Sequence, residues 1–168
     1  TGTSLAMVCA VKGYRLSIVT SNAASLEKRN HMKALGAKMT VLHTEGGKLN
    51  VELYKAMVAE TEKIISETGA FWTDQFHNKS QADGYDALGE EVWEQTGGRV
   101  DAFVHVVGTC GSLRGVATSL RNRNPKLHVV AVEPAESPVL SGKQPGSHRI
   151  EGVGIGIVPF LWDSGLAN

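Results

Sequence analysis

Apolar positions along the chain fall into two alternating rhythms. Ser4 to Val11 is a run of small and apolar residues without a charge, closed at Gly13, and predicts a helix. Arg15 to Thr20 is rich in β-branched residues and predicts a buried strand. Ser21 and Asn22 punctuate. Ser25-Leu26-Glu27-Lys28 then opens a helix with apolar positions at Leu26, Met32 and Leu35, stopped by Gly36. Lys38 to His43 reads as the next strand and Glu45-Gly46-Gly47 as a flexible turn. Val51 to Thr68 places Leu53, Met57, Ile64 and Ile65 at helical spacing before Gly69, and is the longest helix expected.

The alternation resumes after an interruption. Ala70 to Thr73 reads as a short extended piece, and the stretch from Asp74 to Lys79 is too polar and irregular for a core element, so it reads as a functional loop. A helix is expected from about Ala82 to Gln95, ending at Gly97-Gly98. Asp101 to Val107 is an almost unbroken apolar run of the kind found in central parallel strands. The segment Gly108-Thr109-Cys110-Gly111-Ser112 follows at once, then a helix from Leu113 to Arg123, Pro125, and a strand from Leu127 to Val132. A Pro/Gly/Ser-rich connection runs from Pro134 to His148, and nothing after it is clearly periodic. Apolar strands alternating with helices predict an α/β protein with parallel sheets covered by helices on both faces. A soft boundary falls near Trp72 to Lys79.

Composition narrows this picture. With 168 residues, 42% hydrophobic and 20% charged, the chain can bury a core. Seventeen basic residues balance seventeen acidic ones, so no overall field favours nucleic acid or an anionic membrane as partner. Arg114, Arg121, Arg123 and Lys126 form the densest basic cluster, read as a solvated helix face, with an anion or partner contact as the other reading. Cys9 and Cys110 are too few for a disulfide framework and lack C-x-x-C spacing, which fits a reducing cytoplasm. No apolar run approaches the roughly 18 residues that span a bilayer. His31, His43, His77, His105, His128 and His148 are scattered without metal-ligand spacing, so no metal is expected.

The segment from Gly108 to Ser112 carries the chemistry. A parallel strand ending in a Gly-rich turn that opens a helix aims unpaired backbone N–H groups and the positive end of the helix dipole at one point. An anion satisfies both. Gly108 and Gly111 allow close backbone approach, and the Thr109 and Ser112 hydroxyls can donate further hydrogen bonds. No Lys follows in P-loop register, which argues against a nucleoside triphosphate, and the pattern is not G-x-G-x-x-G. Spacing alone leaves open the plainer reading, small residues where any α/β strand turns into a helix.

Several segments together resemble one family. Val107 to Ser112 resembles the G-T-G-G-T phosphate loop of the cysteine synthase and cystathionine β-synthase group of fold type II pyridoxal-phosphate enzymes. Asp74 to Asn78 is similar to that group's D-Q-F/Y-x-N segment, Glu151 to Pro159 to its E-G-I-G-x-G-F-x-P segment, and Val130 to Pro134 to its V-x-V-E-P strand end. Thr1-Gly2 matches the tail of its S-G-N-T-G substrate loop, and Ser25 to Lys28 with Leu35-Gly36-Ala37 resembles its S-x-E-K and L-G-A helix. The matches keep one order over nearly the whole chain.

The resemblance implies a two-lobed fold, with residues 1–72 in the smaller lobe and 73–168 in the cofactor-phosphate-binding lobe, both partial, the chain being truncated at both ends. It implies pyridoxal 5′-phosphate, held in the cleft by Gly108, Thr109, Cys110, Gly111, Ser112 and Gly152, with substrate contacts from Thr1, Gly2 and Gln75. It also implies β-replacement or β-elimination on a serine, O-acetylserine or cysteine type of amino acid, in a homodimer. The lysine that holds the cofactor as a Schiff base is expected upstream of Thr1, and the serine that meets the pyridine nitrogen beyond Asn168. None of the lysines present, such as Lys12, Lys48 or Lys79, falls at the family position, so the chain alone is expected to be inactive. Cys110 departs from the pattern by replacing a glycine. It reads as a tolerated small residue or, less readily, as a thiol activated by the helix N-terminus. His77 and Lys79 read either as substrate-carboxylate contacts or as exposed loop residues. Competing with the enzyme reading are a non-catalytic phosphate- or partner-binding α/β module and an enzyme for a different phosphorylated ligand.

Overall fold

The computed structural model describes residues 1–44 and 51–168. The expected turn at Glu45-Gly46-Gly47 lies outside them. The chain divides into two compact units, Thr1–Trp72 and Thr73–Asn168.

In the first unit the order is α1 (Gly2–Lys12), β1 (Ser17–Ser21), α2 (Leu26–Ala34), β2 (Lys38–Leu42) and α3 (Val51–Thr68). The N-terminal cue of α2 works as the sequence predicts: the Ser25 hydroxyl accepts from the Lys28 N–H at 3.4 Å. Strands β1 and β2 pair in parallel from Ser17↔Lys38 to Ser21↔Leu42, with α2 as the crossover between them. Asn22 clamps the end of the pair, donating to the Thr44 carbonyl at 3.0 Å and accepting from the Thr44 N–H at 2.9 Å. Ala6, Met32 and Ala37 form the buried centre, flanked by Ile18, Leu35 and Met39. The residues from Ala70 to Thr73 form no strand, and Phe71 is exposed.

The second unit holds α4 (Ser80–Asp83), α5 (Asp86–Gln95), β3 (Ala102–Val106), α6 (Gly111–Arg123) and β4 (His128–Val132). Strands β3 and β4 are parallel, Ala102↔His128 to Val106↔Val132, with α6 as crossover. Helix α6 is the spine of the core: Leu113, Ala117 and Leu120 are fully buried and pack with Val107, Val129 and Leu161. The single helix expected from Ala82 to Gln95 is two, broken at Gly84-Tyr85. The reason is tertiary, because Gly115 of α6 approaches the Ala82 carbonyl and the Tyr85 Cβ so closely that no Cβ fits between. Helix α6 begins at Gly111, two residues before the expected Leu113.

The apolar run of β3 is not evenly buried. Phe103 and His105 are half-buried, whereas Ala102, Val104 and Val106 are exposed. The aperiodic segment after residue 148 folds back on this unit, burying Leu161 and Leu166. Asn168 joins it to β4, its N–H donating to the Val129 carbonyl at 2.9 Å and its side-chain oxygen accepting from the Val129 N–H at 2.8 Å. The arginines expected on a solvated face hold these pieces together. Arg114 donates to the Leu161 carbonyl at 3.0 Å, Arg121 to the Asn168 side-chain oxygen at 3.3 Å, and Arg123 pairs with Glu90 at 2.5 Å.

Candidate functional site

The site grows from the end of β3. Val107 still donates to the Val132 carbonyl at 2.9 Å, and its own carbonyl accepts from the Gly154 N–H at 3.1 Å. At Gly108 the chain passes so close to the 152–154 turn that a Cβ would sit 2.6 Å from the Gly152 carbonyl oxygen. Glycine is therefore required there by contact with backbone, which cannot swing aside. Cys110 then takes a left-handed conformation, φ +71° and ψ −3°, and N-caps α6 without a side-chain capping bond. The first intrahelical bond is Arg114 N–H to the Cys110 carbonyl, 2.9 Å. The N–H groups of Gly111, Ser112 and Leu113 precede it and have no intrahelical acceptor. They present the positive helix end to whatever lies above the loop.

Side chains complete the rim. Thr109 Oγ1 accepts from Gln75 Nε2 and donates to Gln81 Oε1, both at 3.4 Å, and the Gln81 amide also donates to the Gln75 carbonyl. Ser112 Oγ lies 2.8 Å from His105 Nε2. Gly108 to Ser112, Gly152 and Gln75 are thus brought into one neighbourhood of the second unit. Gln81 and His105 belong to it as well, and the sequence reading missed both. The available signal for His105 was a lone polar residue inside an apolar strand. Gln81 carried none. Thr1 and Gly2 lie in the first unit, where the Thr1 carbonyl accepts from the Leu5 N–H at 2.9 Å and a Cβ on Gly2 would meet Met32 Sδ at 2.7 Å. His77 is engaged by Asp74 at 3.0 Å and stacks obliquely on Phe160. Lys79 lines a groove of about 760 Å³ with Asp83, Asp86 and Arg114, which no residue from Gly108 to Ser112 lines.

Burial of the Cys110 thiol sets aside the second of its two readings, the activated thiol. A helix N-terminus lowers a thiol pKa, but Cys110 is only 2% exposed, and burial pushes its pKa up to about 11, the nearby Arg114 charge only partly opposing this. At neutral pH it is a protonated core group. His105 moves the other way, held below the usual histidine range by burial. Among the described residues no three His, Cys, Asp or Glu side chains converge as a metal site, and no helix is long and apolar enough to cross a membrane.

The sequence pattern of the family described as pyridoxal-phosphate dependent enzyme matches residues 1–166. The chain belongs to that family. A cysteine synthase of Staphylococcus aureus strain Mu50 is 38% identical over 161 residues, 95% of this chain and 50% of that protein. A cysteine synthase structure from Entamoeba histolytica superposes with a TM-score of 0.89 at 35% identity, covering 100% of this chain and 48% of the other. The O-acetyl serine sulfhydrylase isoform 3 of the same organism gives 0.88 at 36% identity, covering 100% and 49%. The chain spans about half the length of the curated relatives it matches. The fold is the α/β architecture of fold type II pyridoxal-phosphate enzymes, and the cofactor of the family is pyridoxal 5′-phosphate. The residues present fit the phosphate end of that group. A backbone cradle closed to any Cβ at Gly108, an α6 N-terminus without a side-chain cap, and a hydroxyl at Ser112 are what a phosphate dianion needs.

Proposed function

We propose that the protein carrying this chain is a cysteine synthase-like enzyme performing β-replacement or β-elimination on an amino acid such as serine, O-acetylserine or cysteine. The observation that carries the reading is the Gly108–Gly152 close approach ahead of the uncapped α6, in a chain similar to cysteine synthases at 38% identity. The backbone of Gly108, Thr109, Cys110, Gly111 and Ser112 holds the cofactor phosphate, with Gly152 buttressing the loop from behind. Cys110 contributes backbone alone, since its thiol is in the core. Bound there, the cofactor supplies an electron sink for the substrate α-carbon. Gln75, oriented through Thr109, binds the substrate together with Thr1 and Gly2, with residues 1–72 and 73–168 read as the two lobes. The protein is read as a cytoplasmic homodimer. No lysine of the chain is assigned to hold the cofactor covalently, so the chain alone binds it reversibly and turns over no substrate.

Titration with pyridoxal 5′-phosphate and with pyridoxal tests this. The phosphorylated form should bind at least about tenfold more tightly, as a charge-assisted anion site requires. Gly108→Ala should abolish that advantage, because its methyl would displace the Gly152 turn. Equal binding of the two compounds, or an advantage that survives Gly108→Ala, would sink the phosphate reading. Nucleotides or sugar phosphates that bind more tightly than pyridoxal 5′-phosphate would point to a different phosphorylated ligand. Borohydride treatment with the cofactor should fix no stoichiometric label on any single lysine.

A further inference from the structure

His105 lies directly beneath the loop. It projects from β3 on the same side as Phe103, its ring 5.5 Å from that ring, with Nε2 2.8 Å from Ser112 Oγ at the start of α6. A serine hydroxyl has one proton and two lone pairs. If Ser112 spends its proton on His105, it offers an anion only lone pairs. If His105 donates instead, the Ser112 proton is free to point at the anion. The other hydroxyl of the loop has no such freedom, because Thr109 donates to Gln81 while accepting from Gln75. We propose that His105 is a positioning residue for phosphate capture: its Nε2–H donates to Ser112 Oγ, turns the Ser112 hydroxyl proton toward the bound dianion, and links capture to protonation of the ring. This rests on the phosphate reading of the loop.

Among the described residues, the neighbours of His105 bring no rival charge to it. On β4 its register partner is Ala131, while His128 pairs with Ala102 at a position of opposite side-chain parity. Glu133, just past β4, accepts from the Leu140 and Ser141 N–H groups at 2.8 and 2.9 Å. On α6 the Cys110 thiol is protonated, and Arg114, Arg121 and Arg123 are engaged with Leu161, Asn168 and Glu90. Asp101 lies at the far end of β3, four residues away along an extended strand. Burial is the one cause of the lowered His105 pKa, so a dianion at the loop would supply the missing counter-charge and raise it. Anion affinity is then highest below the anion-free pKa. It falls as pH rises toward the anion-bound pKa and is level above it.

Sulfate is the probe, because it stays a dianion across the range, whereas a phosphate ester loses a proton near roughly pH 6. The His105 ring is followed by NMR in the unmodified protein, with and without saturating sulfate, and sulfate affinity is measured against pH. The ring pKa should rise with sulfate. His105→Ala should bind sulfate about tenfold more weakly at low pH with a flat profile, a hydrogen bond to an ionised group being worth roughly that factor. His105→Gln, a neutral donor, should recover most of the affinity and stay flat. A ring pKa unmoved by sulfate, or a His105→Ala profile parallel to that of the unmodified protein, overturns the proposal while leaving the phosphate site standing. Failure of the unmodified protein to bind sulfate or pyridoxal 5′-phosphate at any pH overturns both.

Discussion

Cys110 combines two features that normally exclude each other, a side chain buried to 2% exposure and a left-handed backbone at φ +71°. The buried sulfur contributes packing, and the Cβ is strained by about 1 kcal/mol relative to glycine. Removing the sulfur while keeping the Cβ forfeits the first without relieving the second. Cys110→Ala should therefore destabilise by about 1–2 kcal/mol, and Cys110→Gly by no more than that. This reverses the order found inside helices, where Gly is worse than Ala by about 1 kcal/mol. Urea denaturation of the two variants checks it, and Gly falling well below Ala would remove the strain from the account. The glycine-rich pattern was legible in the sequence here. Which way the cysteine faces was not, since a thiol at a helix start reads as a tolerated small residue or as an activated one, and only its burial separates the two.

At the scale of elements, the two glycines near the α4–α5 break behave oppositely. Gly84 has φ −63°, and a Cβ there would meet only the Gln81 carbonyl at 3.4 Å, an ordinary contact. Gly84→Ala should raise stability by about 0.5–1 kcal/mol through the unfolded chain. A Cβ on Gly115 would meet the Tyr85 Cβ at 2.7 Å and the Ala82 backbone besides, so Gly115→Ala should cost about 1–3 kcal/mol. Thermal melts distinguish the pair, and equal effects of the same sign would contradict the packing described. Among the described residues, hydrophobic period placed eight of the ten helices and strands within a few residues, from α1 to β4. It failed between Ala82 and Gln95, because the break comes from α6 pressing on that segment, and nothing in the local sequence reports what presses on it.

For the whole molecule, the half-buried His105 ring and the buried Cys110 thiol shape the response to pH. The His105 pKa is lowered by folding, so its contribution is present above the unfolded value and lost as pH falls through the folded one. The Cys110 pKa is raised to about 11, so its contribution is full below the unfolded value and lost as pH rises from about 9 towards 11. Melting temperature should pass through a plateau between these limits. His105→Gln should flatten the acid limb, and Cys110→Ala the alkaline limb. Limbs unchanged by both substitutions would assign the pH dependence to other groups. The sequence by itself determined the alternation of elements, the parallel pairing within each unit and the loop that opens α6. These are set by local period, by turn residues, and by a run of segments in the order of one family. Only the tertiary structure decided that Gly108 rests on Gly152, that Thr109 is spoken for by Gln75 and Gln81, and that His105 sits under Ser112. Those pairings join positions as far as 44 residues apart, and only the packing of the folded unit brings them together.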